Sequence, residues 1–109
     1  MLTKKPIDII RIKVKEAKLK ILHLEDVKSD ATLISKAIKK GNINFEILVV
    51  DTKDKFIKAL NKATPDIILA DHSLPSFNSI EALAILQKTG FKIPFILITS
   101  TVSEEFAVE

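Results

Sequence analysis

Pro65-Asp66-Ile67-Ile68-Leu69-Ala70-Asp71-His72-Ser73-Leu74-Pro75 is the stretch on which the reading of this chain turns. Ile67 to Ala70 form a short apolar run, rich in branched residues, that leads straight into an aspartate. A run of that length and composition predicts a strand buried on both faces. Asp71 then stands where the strand emerges at its C-terminal end. In open α/β sheets that edge is where ligands bind. Taken alone, an aspartate there more often caps the next segment than does chemistry.

Working outward, the chain alternates between two periods. Upstream, Ile21 to Leu24 read as a strand ending in Glu25-Asp26. Ser29 and Asp30 are candidate N-caps of a helix with Leu33, Ile34, Ala37 and Ile38 on one face and Gly41 as its stop. Phe45 to Val50 read as a second strand. Asp51 or Thr52 can cap a second helix whose buried stripe is Phe56, Ala59, Leu60 and Ala63, and Pro65 closes it. Downstream, Ser79 is the expected cap of a third helix with Ile80, Leu83 and Leu86 inward and Gly90 as its stop. Pro94 to Thr99 predict a fourth strand, and the capping-box spacing of Thr101 and Glu104 predicts a fourth helix from near Ser103. Strict β-α-β-α-β-α-β order predicts an α/β domain with a parallel sheet, right-handed crossovers and helices on both faces.

Composition narrows the field. At 109 residues and 47% hydrophobic content, the chain has the size and apolar share of one globular domain. The absence of cysteine excludes disulfides and thiolate zinc sites. No apolar run approaches the roughly 20 residues of a membrane span, and the basic N-terminus lacks the apolar core of a secretory signal, which points to the cytoplasm. The net charge of +3 is concentrated before Ile21: Lys4, Lys5, Arg11, Lys13, Lys15, Lys18 and Lys20 face only Asp8 and Glu16. Residues 1–18 are read as a basic extension or linker, and 19–109 as the domain. Without a recognisable binding element carrying stacking aromatics, this is a solvated lysine-rich surface and no nucleic-acid partner is expected.

In a parallel sheet all strand C-termini lie on one edge. Glu25, Asp26, Asp71 and Thr99 would then converge there. Clustered carboxylates raise one another's pKa, a cost that a bound cation offsets. Oxygen donors without thiolate favour Mg²⁺. A carboxylate beside such an ion can attack a phosphoryl group and form an acyl phosphate. Bland meanings stand beside these. Glu25 and Asp26 suit the positive end of the following helix, and Thr99 suits a strand. His23 reads as a core or semi-buried histidine, and His72 as a loop side chain.

Leu24-Glu25-Asp26, Asp71-His72-Ser73-Leu74-Pro75 and Ile98-Thr99, at these separations, resemble the receiver (response-regulator) domain of two-component signalling over residues 20–109. The resemblance implies a flavodoxin-like doubly wound parallel sheet of order 2-1-3-4. It implies that Asp71 is the phosphoacceptor for a histidine kinase or phosphotransfer protein. Asp26 and Glu25 would be metal ligands, the latter through water, and Ser73 would lend its backbone carbonyl. Thr99 would be the switch hydroxyl, and Pro75 would form the turn after the acceptor. Ser76, Ser79 and Ser100 depart mildly from the family's usual small residues. The family's fifth strand and its lysine are expected beyond the last residue given, so no lysine here takes that role. Strand 95–98 is accordingly expected to be an open edge able to self-associate.

Two other classes compete. A degenerate receiver-like interaction module would share the fold without taking phosphate. An aspartate-nucleophile hydrolase would want a second aspartate two residues after Asp71, where Ser73 stands. A nucleotide-binding domain is disfavoured because the first strand–helix turn has no glycine-rich loop. The expectation is a relay element with no turnover chemistry of its own.

Overall fold

A computed structural model of the chain describes residues 18–72, 74 and 77–99. The expectations for the leader, for Ser73, Pro75 and Ser76, and for the helix near Ser103 lie outside the described residues. Among the described residues four strands, β1 (Leu19–Leu24), β2 (Phe45–Val50), β3 (Ile67–Asp71) and β4 (Phe95–Ile98), alternate with three helices, α1 (Lys28–Lys40), α2 (Lys53–Ala63) and α3 (Ser79–Thr89). The strands form one sheet in the order β2-β1-β3-β4, every pair parallel. That is the 2-1-3-4 order expected of the sequence.

Alternation along β1 divides the interior in two. Leu22 and Leu24 join Val50, Ile68 and Ala70 under α2 and α3, which contribute Phe56, Ala59, Leu60, Ala82 and Leu86. Ile21 and Leu69 point the other way, toward Ile34, Ala37 and Ile38 of α1. Phe77 anchors the loop after β3 in the first of these layers, its ring 5.5 Å from that of Phe56 at 57°. Each such buried phenylalanine is worth about 1.5–3 kcal/mol in transfer terms. At the lower end of the sheet Asp66 ties two strands together. Its carboxylate accepts from the Lys20 N–H and its own N–H donates to the Lys20 carbonyl, both at 2.8 Å.

Several local expectations change. Thr52 does cap α2, its hydroxyl accepting from the Lys55 N–H. Neither Ser29 nor Asp30 caps α1, because that helix begins earlier, at Lys28, with Val27 as an N-cap that offers no side-chain bond. The buried line of α1 is therefore set by Ala31 with Ile34 and Ile38 half-buried, and Leu33 is left 64% exposed. In α3 the cap is Asn78, which accepts from Glu81 N–H at 2.8 Å. Ser79 becomes the first helical residue, and Ser79, Ala82 and Leu86 form the inward line. Ile80, one step round the helix, is 71% exposed. Ala63 is also exposed, at the end of α2. Gly90 stops α3 in the left-handed region at φ 80°, where a side chain would be strained.

Candidate functional site

Three strand ends build the upper edge. Asp71 closes β3, and Glu25 and Asp26 follow β1. Leu24 is paired with Ala70, so the two strands finish at the same level. One carboxylate oxygen from each of Glu25, Asp26 and Asp71 falls within a group no wider than 4.8 Å. Glu25 and Asp71 are 6% and 4% exposed, while Asp26 faces solvent.

The electrostatic cost is concentrated on Glu25. Burial pushes its pKa up to about 7 from 4.5, and the bond with Asp71 and the charges of Asp71 and Asp30 add to the rise. The Val27 N–H, which donates to the Glu25 carboxylate at 3.1 Å, works against it. This bond also explains the unusual start of α1: Glu25, two residues upstream, occupies the donor at the helix entrance. Up to near neutral pH Glu25 therefore keeps its proton beside the Asp71 carboxylate.

Thr99 stands at the same end of the sheet. Ile98 pairs with Asp71, and the His72 N–H donates to the Ile98 carbonyl at 3.1 Å, so Thr99 is the next residue outward on β4's path. It is half-buried. Ser73 and Pro75 lie outside the described residues.

Sequence reasoning gave Lys28 and Lys55 no part at this end of the molecule, and read His23 only as a core or semi-buried histidine and His72 only as a loop side chain. A cleft of about 430 Å³ adjoins Glu25 and Asp26 and is bordered by Lys28, Asp51 and Lys55. Lys55 is held by Asp51 at 3.2 Å, a spacing of four residues that could have been read from the chain. His72 is exposed and places Nδ1 3.3 Å from the buried Ser79 hydroxyl, linking the residue after Asp71 to the first turn of α3. No local pattern signals that bond. His23, fully buried on β1, has neither ring nitrogen hydrogen-bonded among the described residues. Burial lowers its pKa below 6.5, with the Asp71 charge opposing.

Hard oxygen donors within 4.8 Å of one another, two of them buried, fit a small divalent cation with retained waters. A parallel α/β sheet with such a pocket at its carboxyl edge defines the doubly wound class of domain, whose ligands bind outside the carboxyl ends of the strands. Within that class the chain matches the response regulator receiver domain over residues 21–109. It belongs to that family.

Solved structures agree on the fold. A signal receiver domain from Vibrio parahaemolyticus, assigned to a Luxo repressor protein, superposes with a TM-score of 0.69 at 24% identity, covering 84% of this chain and 69% of that one. The phosphorylated cyanobacterial phytochrome response regulator RcpA gives a TM-score of 0.66 at 27% identity, covering 84% and 72%. Among curated proteins, none matches the chain.

Proposed function

We propose that this domain is a phosphoacceptor module of a two-component relay, with Asp71 as the acceptor. The observation that carries the reading is the convergence of the Glu25, Asp26 and Asp71 carboxylates within 4.8 Å at the C-terminal end of a parallel sheet. An Asp71 carboxylate oxygen attacks the phosphorus of a phosphohistidine on a kinase or phosphotransfer protein. The new O–P bond forms as the N–P bond breaks, and the departing imidazole takes its proton from water.

Glu25, Asp26, Asp71 and the Ser73 carbonyl would hold Mg²⁺, whose charge offsets that of the acceptor and of the transferred oxygens. Glu25 must give up its proton for that role, and Asp26, exposed, leaves the pocket open to solvent. Thr99 would supply the hydroxyl that follows the phosphoryl group as phosphorylation shifts a two-state population. Turnover chemistry, nucleic acid and membrane play no part in this reading, which places the domain in the cytoplasm.

Incubation with acetyl phosphate and Mg²⁺ should label the wild type and leave Asp71→Asn unlabelled; equal labelling of the two removes the proposal. An interaction module that never takes phosphate would give no labelling and no Mg²⁺ binding at millimolar concentration. β4 is an outer strand among the described residues, with Ile96 and Leu97 about half exposed. We infer self-association through it, which a monodisperse monomer in light scattering would contradict.

A further inference from the structure

The opposite edge of the sheet carries a different offer. β2 pairs only with β1 among the described residues. Leu19 N–H donates to the Asn44 carbonyl and Glu25 N–H to the Val50 carbonyl, both at 2.9 Å. In a parallel ladder this phase turns the even-numbered residues of β2 toward β1. Phe45, Ile47 and Val49 consequently turn their own N–H and C=O groups outward.

Beside that open backbone lie two apolar side chains on opposite faces, Leu48 at 50% and Val49 at 42% exposure. Leu48 lies in a groove of about 540 Å³ bordered by Lys58 and Lys62 of α2. Val49 lines another of about 330 Å³ bordered by Lys36 and Lys39 of α1. None of these four lysines is in an ion pair among the described residues, whereas Lys53 and Lys55 are held by Glu81 and Asp51.

We propose that the β2 edge accepts an extended acidic segment of a partner protein, added to the sheet as a further strand. Main-chain bonds to Ile47 and Val49 would supply affinity. Two adjacent apolar residues of the partner, which alternate across the sheet, would meet Leu48 and Val49. Carboxylates on either side of them would meet Lys58 and Lys62 on one face and Lys36 and Lys39 on the other. A second copy of this chain is the poorer occupant, since edge-to-edge pairing sets four lysines against four. The surface makes no use of the carboxylate pocket, so it stands or falls independently of phosphate acceptance.

The test is titration of the ¹⁵N-labelled chain with a blocked hexapeptide of two central valines, each side flanked by two glutamates. Amide shifts should concentrate in residues 45–50. The counterpart with lysine for glutamate should produce none. K58E/K62E should bind about tenfold more weakly, the scale of a few exposed charge contacts. Val49→Pro removes an outward N–H that the ladder does not use, so it should keep a dispersed spectrum and lose the peptide. Should that variant not fold, the charge-reversal pair decides. Shifts centred elsewhere, equal response to both peptides, or a concentration-dependent dimer that moves the β2 amides without peptide would each overturn the proposal.

Discussion

The two faces of the sheet are cut from the same strands by alternation, yet they are finished differently. One carries α2 and α3 and contains the fully buried side chains Leu24, Phe56, Leu60, Ile68 and Phe77. Among the described residues the other carries α1, whose one buried residue is Ala31, and leaves an apolar groove of about 240 Å³ between Ile21, Leu69 and Ile34. The second face also takes the buried polar residue of β1, since His23 follows Ile21 in alternation. The difference teaches where stability resides among the described residues: the layer under α2 and α3 is a packed core, whereas the layer under α1 holds a buried histidine whose ring nitrogens find no partner there.

The strongest way to break this division is to truncate one side chain on each face. Phe56→Ala should cost about 3–5 kcal/mol and Ile34→Ala, half-buried beside an open groove, about 1 kcal/mol, as measured by urea unfolding. Equal losses would mean that the faces contribute alike.

His23→Leu probes the polar half. Its two unpartnered buried nitrogens make the apolar substitution stabilising, by about 1–2 kcal/mol at neutral pH. The variant also separates two opposed proton linkages. Glu25 is raised from 4.5 to about 7, so as the pH falls through that window the folded state takes up its proton first and gains stability. His23 is lowered from 6.5, so below that pH the unfolded chain binds a proton that the folded one refuses, and stability is lost. The wild type should therefore flatten below pH 6.5, while His23→Leu should keep gaining stability down toward pH 4.5. Parallel profiles of urea midpoint against pH would contradict the burial of the ring.

Smaller effects sharpen the same contrast at the helix entrances. Thr52→Ala should cost about 1 kcal/mol by removing the cap of α2. Ser29→Ala, within the first turn of α1, and Leu33→Ala, on its solvent side, should each stay within about 0.5 kcal/mol in the same assay.

Much of this was legible in the chain. Ile67 to Ala70 are apolar at every position because both faces of β3 are covered, and that pattern reads directly as an inner parallel strand. Glu25, Asp26 and Asp71 were readable as a group because parallel topology sends every strand's end to one edge. Helix phase was less legible. Leu33 and Ile80 carry the same apolar signal as Ile34 and Leu83, and one residue along a helix turns a side chain about 100° round the axis, enough to carry it from the packed side to solvent. Asn78 and Ser79 are both good caps by type, and they are separated by the bond Asn78 accepts from the Glu81 N–H and by the burial of Ser79 beside His72.

The order of elements, the parallel sheet and the candidate acceptor are properties of sequence, because hydrophobic period and strand-end residues are local. Which face each helix covers, the raised pKa of Glu25, and the lysine-bordered edge of β2 belong to the tertiary structure. Each depends on distances between residues far apart in the chain, and on the loss of water around them, neither of which a linear pattern encodes.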